Sequence, residues 1–374
     1  YGSLPRSTVM EPAIRYAEDG FRLLPGEAAR QAAAVEELAE FEGSRMYFLR
    51  PDGTPHQAGE LFRQPDLART LRTIRDEGAE AFYTGSIAQA MAADIQANGG
   101  AVTMESLGQY LAEESLVVRG SYRDHDLIGL WLPSFGAITI EILQILETLD
   151  VASMDEAEWA LAVSEAIRLG YLDRPEQEDW DDAMRLTSKE YAAEVAEGMR
   201  LEAGARERAG AIPDGNTTHL TAADREGMVV ALTQSLGPGM GSKVATPGLG
   251  FLYASTLGGY LGRMEPGERA RSHISPFMVE KDGRPFMALG AAGGGRIPTA
   301  IVAAVSRVID RGMSLEEALR APRIVPDQPG MEEGGDAEAI PQVIMETETG
   351  MGFAPEVLAE FREMGFDVEE IDRS

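Results

Sequence analysis

No cysteine occurs anywhere in the 374 residues, which removes disulfides, thiolate metal sites and a cysteine nucleophile together. Histidine is scarce. His56, His125, His219 and His273 are the four present, and none pairs in an HExxH-like spacing, which argues against a zinc enzyme. Positive charge is short as well: 33 Lys and Arg stand against 62 Asp and Glu, a net charge of −29, and lysine contributes only Lys189, Lys243 and Lys281. A surface of that sign repels nucleic acid and anionic lipid, so neither is expected as a partner. No apolar run approaches the roughly 18 residues of a membrane-spanning helix. What is present is an ordinary globular balance, 44% apolar and 25% charged, in a chain long enough for one large domain or two. The opening Tyr1-Gly2-Ser3 shows neither an initiator methionine nor a signal peptide, as expected of a trimmed chain or an excerpt.

The first half is expected to be mostly helical, from apolar residues at three-to-four spacing over Glu27–Phe41, Ala81–Ala97, Ile138–Leu149, Asp155–Leu169 and Lys189–Leu201. Extended segments lie between Leu116 and Leu132, and Pro133 to Gly136 forms a turn. Arg206 to Gly215 is poor in large apolar residues and carries Gly210, Pro213 and Gly215, so it reads as an exposed loop. After it the pattern turns strand-like, with candidates at Met228–Ser235, Gly250–Ser255, Ser275–Glu280 and Arg284–Leu289 and a hairpin turn at Lys281-Asp282-Gly283. A helix over Ile297–Arg311 follows, then one opened by the capping box Ser314-Leu315-Glu316-Glu317. A strand (Val343–Glu346), a helix (Ala354–Met364) and a strand (Asp367–Ile371) end the chain. Helices, a meander of strands and more helices predict an α+β fold with sheet held between helical layers. The three tryptophans, Trp131, Trp159 and Trp180, read as packing residues, and the acidic run Glu176–Asp182 as a solvated face.

Asn216-Thr217-Thr218-His219-Leu220 carries the chemistry. Inside an intact chain the threonines are β-branched residues entering a strand. If the chain is cut before Thr217, that residue gains a free α-amine beside its own hydroxyl. Such an amine has a pKa near about 8 and can take the hydroxyl proton, making an otherwise poor nucleophile reactive. Gly237-Pro238-Gly239-Met240-Gly241 lacks the following helix of a dinucleotide fingerprint. Gly290-Ala291-Ala292-Gly293-Gly294-Gly295-Arg296 instead runs from a strand into a helix, where backbone N–H groups can hold an oxyanion. A tight turn needing positive φ accounts for two of those glycines equally well.

Taken together these motifs resemble the gamma-glutamyltranspeptidase family of N-terminal-nucleophile hydrolases. The likeness runs from the early segment Tyr1–Phe21 through Phe82-Tyr83-Thr84-Gly85, Asn98-Gly99-Gly100 and Gly120-Ser121-Tyr122-Arg123 to Asn216–His219 and Gly290–Ile297. It implies an αββα sandwich made as a precursor that cuts itself between Asn216 and Thr217. A large-subunit portion, 1–216, and a small-subunit portion, 217–374, would stay together as one folded unit. Thr217 would be nucleophile and, through its amine, base. Ser235 would hydrogen-bond it, Gly293 and Gly294 would form the oxyanion pair, and Ser272 would contact a substrate carboxylate. No cofactor or metal is implied. The expected substrate is a small amide or peptide such as a gamma-glutamyl compound, and the expected location, from the family alone, is periplasmic or secreted.

The glutamyl-recognition set departs from the family pattern. Gly237 stands where the family has an asparagine, Thr256 for a glutamine, Gly259 for the aspartate that pairs with a substrate ammonium, and His273 for a second serine. Losing that aspartate leaves a desolvated ammonium unpaired. The linker from Tyr260 to Ser272 is short where a lid is usual, and the arginine that would clamp the carboxylate belongs to a region before Tyr1. The machinery for amide cleavage is thus expected to be retained with altered acyl specificity. The alternatives are a standard glutathione hydrolase or gamma-glutamyltransferase, and a non-catalytic homologue keeping only the fold.

Overall fold

A computed structural model describes residues 2–201, 216–256, 267–326, 343–347, 352–366 and 368–372. The chain divides into two compact units, one of residues 1–114 with 236–255, the other of 115–235 with 256–374. This division does not follow the expected subunit portions, which concern one peptide bond rather than packing.

The first unit is helical, with a two-stranded antiparallel ribbon of β1 (Phe21–Arg22) and β2 (Leu61–Phe62). Helix Pro65–Glu77, unremarked in the sequence, carries Leu67, Leu71 and Ile74 at helical spacing and opens on a proline whose missing N–H costs nothing there. The expected helix Ala81–Ala97 breaks into Ala79–Tyr83 and Ser86–Ala97. At the break, Gly85 donates its N–H back to Glu80 and would press a Cβ to 2.8 Å from Ala81 Cα.

One strand expectation fails in this unit. Gly250–Ser255 forms no strand, only an isolated bridge between Ala245 and Leu252. Gly248 and Gly250 both take positive φ, and Gly250 lies so close to Leu67 that a Cβ would sit 2.4 Å from its nitrogen. Gly250 O is taken by the Gln64 side chain (3.2 Å), and Tyr253 and Ser255 bond Ser242, Val244 and Leu236 backbone in irregular loop contacts rather than in a ladder.

The second unit holds the remaining strands. β3 (Val117–Tyr122), β4 (His125–Leu130), β7 (Phe277–Lys281) and β8 (Arg284–Leu289) form an antiparallel sheet in the order β3-β4-β7-β8. β5 (Asn216–Ala223) pairs with β6 (Val229–Gly237) as a ribbon. β9 (Arg323–Pro326), β10 (Val343–Thr347) and β11 (Glu369–Asp372) make a third sheet, β10 parallel to β11 and antiparallel to β9. The Lys281-Asp282-Gly283 hairpin forms as expected, with φ 52° at Asp282 and 69° at Gly283, the left-handed pair of a type I′ turn.

Helix Gly136–Glu147 is buried on every side from Gly136 to Leu146, as only a central helix can be. It packs on β3 and β4 through glycines: a Cβ on Gly120 would lie 2.4 Å from Ile140, and one on Gly129 2.8 Å from Gly136 Cα. Helices Glu156–Leu172 and Arg296–Ile309 pack against it in turn. Trp159 is fully buried, donates its indole N–H to Ser306 (3.2 Å) and carries Arg307 over its ring at 3.9 Å. The packing expectation holds for Trp131 and Trp159 but not for Trp180, which is 42% exposed at the first turn of helix Trp180–Leu186. The acidic run before it has a further task, since Asp179 caps that helix and Asp182 closes its capping box. The Ser314–Glu317 box forms as read.

Among the described residues no helix is long and apolar enough to cross a membrane.

Candidate active site

β5 presents alternate residues to one side, so Thr217 and His219 share a half-buried face with the more exposed Thr221, while Leu220 points outward. β6 answers with Thr233 and Ser235 on its own half-buried face, between exposed Leu232, Gln234 and Leu236. The result is a ladder of polar pairs. The Thr217 hydroxyl donates to Ser235 Oγ at 3.1 Å. One rung along, His219 Nδ1 meets Thr233 Oγ1 at 2.7 Å, and Nε2 meets Thr221 Oγ1 at 3.0 Å. Thr221 donates onward to the carbonyl of Ala288 on β8, at 3.3 Å. Burial holds the His219 pKa below its ordinary value, so the ring is neutral near pH 7.

β8 leads directly into Gly290–Gly295, and helix Arg296–Ile309 opens behind it with Gly295 as N-cap. Gly293 and Gly294 take φ of 119° and 59°, a backbone that side-chain-bearing residues avoid. Their carbonyls accept from Arg296 N and Ile297 N, both at 3.1 Å, while their own N–H groups donate to no described residue. Positive φ and two free donors coexist here, so the turn reading and the oxyanion reading describe one geometry. Tyr171, at the end of helix Glu156–Leu172, anchors the loop by donating its hydroxyl to Gly295 O at 2.7 Å. Gly290 has a different reason to be glycine: the His219 ring lies against it, and a Cβ would fall 2.3 Å from Nδ1.

Ser272 and His273 lie together in the segment before β7. Ser272 donates its N–H to Pro133 O (2.8 Å), its hydroxyl accepts from Ile274 N (3.1 Å), and its carbonyl accepts from Arg174 (3.0 Å). His273 is buried, stacked near Tyr171 and Phe135 with ring centres at 6.0 and 5.3 Å. Burial, and secondarily the charge of Arg174, push its pKa down to about 3. Arg174 lies over the Phe135 ring and bonds carbonyl and amide oxygens. Burial and the like charge of Arg271 lower it to about 10. Tyr171 thus touches both the His273 ring and the glycine loop.

The structure therefore brings Thr217 to Ser235, His273 to the tyrosine that anchors Gly295, and Ser272 to Arg174. Gly237, buried with φ 91°, falls in the first unit and Thr256 in the second. Gly259, residues 260–266 of the short linker and the loop 206–215 lie outside the described residues. Sequence reasoning missed Tyr171, Arg174 and the closure of His219 on Gly290. Only the glycine at 290, left over once φ accounts for Gly293 and Gly294, was a usable signal. No group of three or more metal-ligating side chains occurs among the described residues.

A strand opening on Thr217 beside a glycine loop that leads into a helix, in an α+β chain, is the arrangement expected of the N-terminal-nucleophile hydrolase fold. The solved cephalosporin acylase of Bacillus halodurans has that fold and superposes over 99% of this chain and 68% of its own, with a TM-score of 0.83 and 25% identity. The family model for gamma-glutamyltranspeptidase matches residues 1–374, and the chain belongs to that family. It is 32% identical to a glutathione hydrolase proenzyme of Pseudomonas sp. (strain A14), over 91% of this chain and 64% of that protein. It is 34% identical to the acylase ACY 1 proenzyme of Pseudomonas sp. (strain V22), over 87% of this chain and 61% of that protein. The chain spans less than two thirds of the length of these relatives.

Proposed function

We propose that this protein is a self-processing N-terminal threonine amidohydrolase or acyltransferase. The observation that carries the reading is the 3.1 Å bond from the Thr217 hydroxyl to Ser235, at the first residue after the expected cut. In the precursor, Thr217 Oγ1 attacks the Asn216 carbonyl carbon. The C–N bond breaks as the nitrogen takes a proton, leaving a free Thr217 amine and an ester that water hydrolyses to the Asn216 carboxylate and the Thr217 hydroxyl. The large portion then ends at Asn216 and the small one begins at Thr217.

In the mature protein the amine accepts the hydroxyl proton as Oγ1 attacks the substrate amide. Ser235 orients the attacking oxygen, and the N–H groups of Gly293 and Gly294 stabilise the tetrahedral oxyanion. One such donor typically lowers a barrier by about 3–4 kcal/mol. The leaving amine departs with the proton, and the acyl-Thr217 ester passes to water or to an acceptor amine. Gly259 and His273, standing for an aspartate and a serine, favour an acyl group without an ammonium over γ-glutamate. Ser272 remains available to a carboxylate.

The test is intact mass under denaturing conditions for the full-length gene product and its Thr217→Ala variant. Two fragments meeting at Asn216–Thr217 in the parent, and one chain in the variant, are expected. An uncut parent would reject the catalytic reading in favour of a fold-only homologue. Release of nitroaniline from glutaryl and γ-glutamyl anilides then separates the acyl specificities, with glutaryl the faster; a strong γ-glutamyl preference would restore the standard glutathione hydrolase.

A further inference from the structure

We infer that His219 is a positioning residue, a neutral bracket that ties the nucleophile's strand to both of its neighbours where the oxyanion loop begins. The proton inventory leaves one arrangement. Ala288 O can only accept, so the single Thr221 hydroxyl proton is committed to it. Thr221 Oγ1 must then accept from His219, which puts the imidazole proton on Nε2. Nδ1 is left as an acceptor, and the Thr233 hydroxyl donates to it across 2.7 Å. All three bonds run in one direction, from β6 through the ring on β5 to β8.

The position gives this bracket its consequence. His219 lies two residues from Thr217 on the same strand face, and Thr233 two residues from Ser235 on the facing strand, so the two side-chain pairs are successive rungs. Ala288 lies two residues before Gly290, against which the ring itself packs. The ring is therefore in contact with the start of the loop that carries Gly293 and Gly294, while its strand carries the nucleophile. Shifting β5 along β8 would change the distance between Thr217 and the loop, and the bracket resists that shift. The ring is not a base in this scheme, since both nitrogens are occupied by threonines.

This inference rests on the reading of Thr217 as nucleophile. It is tested by the time course of self-cleavage after cell-free translation of the full chain, followed by intact mass. His219→Phe keeps a ring over Gly290 and removes both bonds. It is expected to cut about 10- to 100-fold more slowly, the size of effect that a small misplacement of reacting groups produces. His219→Gln restores an acceptor and a donor and is expected to stay close to the parent. Should His219→Phe fail to fold, Thr233→Val removes one bond and Thr221→Val two, with the ring retained, and both are expected to be slow. A His219→Phe chain cutting at the parent's rate overturns the inference, as does a His219→Gln chain as slow as the phenylalanine variant or a pair of valine variants at parental rate. A parent that never cuts overturns the catalytic reading and this one together, whereas a cutting parent with an indifferent His219 overturns this one alone.

Discussion

The helix Gly136–Glu147 and the ribbon of β5 and β6 are held by opposite means. The helix is enclosed by apolar side chains, with Ile138, Ile140, Ile142, Leu143, Ile145 and Leu146 all inaccessible to solvent. The ribbon is half exposed, its outward Leu220, Val230 and Leu232 between 43% and 47% accessible, and it is registered by hydroxyls and one imidazole. Apolar packing is strong and non-directional: it decides that the chain folds, but a core of similar volume tolerates exchange. Hydrogen bonds add little net stability each yet fix direction and distance. Stability and reactivity are thus expected to separate by region, with core changes moving the melting temperature and ribbon changes moving rates.

The largest expected effect lies in the core. Trp159→Ala removes the buried indole, its bond to Ser306 and the platform for Arg307. A loss of about 3–5 kcal/mol is expected from deleting a buried tryptophan side chain. Calorimetry should show the melting temperature falling sharply, while self-cleavage measured well below the transition stays at the parental rate. A slow but thermally unchanged Trp159→Ala would break the separation between the regions.

Gly290→Ala sharpens the comparison from the other side. The added methyl would fall 2.3 Å from the His219 ring, which must move and surrender its threonine bonds. Self-cleavage is expected to slow at least tenfold with a melting temperature only a few degrees lower, read by intact mass and calorimetry on the same sample. Unchanged cleavage would mean that the ring's seat on Gly290 is incidental.

How much of this was legible in the sequence follows the same division. Local rules gave the hairpin at Asp282-Gly283, the box at Ser314–Glu317 and the helix behind the glycine loop, because turn chemistry and capping act within a few residues. Thr217 and Ser235 came from a resemblance in motif order, which reaches across the chain without geometry. Tyr171 could not be found that way: its carbonyl partner is 124 residues distant, and nothing in its own helix distinguishes it. The absent strand at 250–255 failed for a related reason, since Gly250 is held at positive φ against Leu67 and Gln64, more than 180 residues earlier, and the rest of its backbone is taken by Ser242, Val244 and Leu236. A periodicity rule sees the strand's own residues and not their competitors.

The apolar region also holds a buried carboxyl group. Glu141 is 0% exposed, and neither of its carboxyl oxygens has a hydrogen-bond partner among the described residues. Burial first, and then the neighbouring Asp173 carboxyl, raise its pKa well above the ordinary value, so the folded chain holds a proton that the unfolded chain releases above pH about 4.5. Below that pH both states are protonated and Glu141 costs nothing through ionisation. Above it the unfolded state binds fewer protons, and stability falls by up to about 1.4 kcal/mol per pH unit until the folded pKa is reached. Glu141→Gln has the same shape and does not titrate. The difference in melting temperature between variant and parent is therefore expected to be small at pH 5 and to grow in the variant's favour toward pH 8. Self-cleavage should be unchanged at either pH, because Glu141 belongs to the packed region and not to the ladder. A difference that stays constant across the range would mean that Glu141 is already ionised in the folded chain, and that this core is wetter than its packing implies.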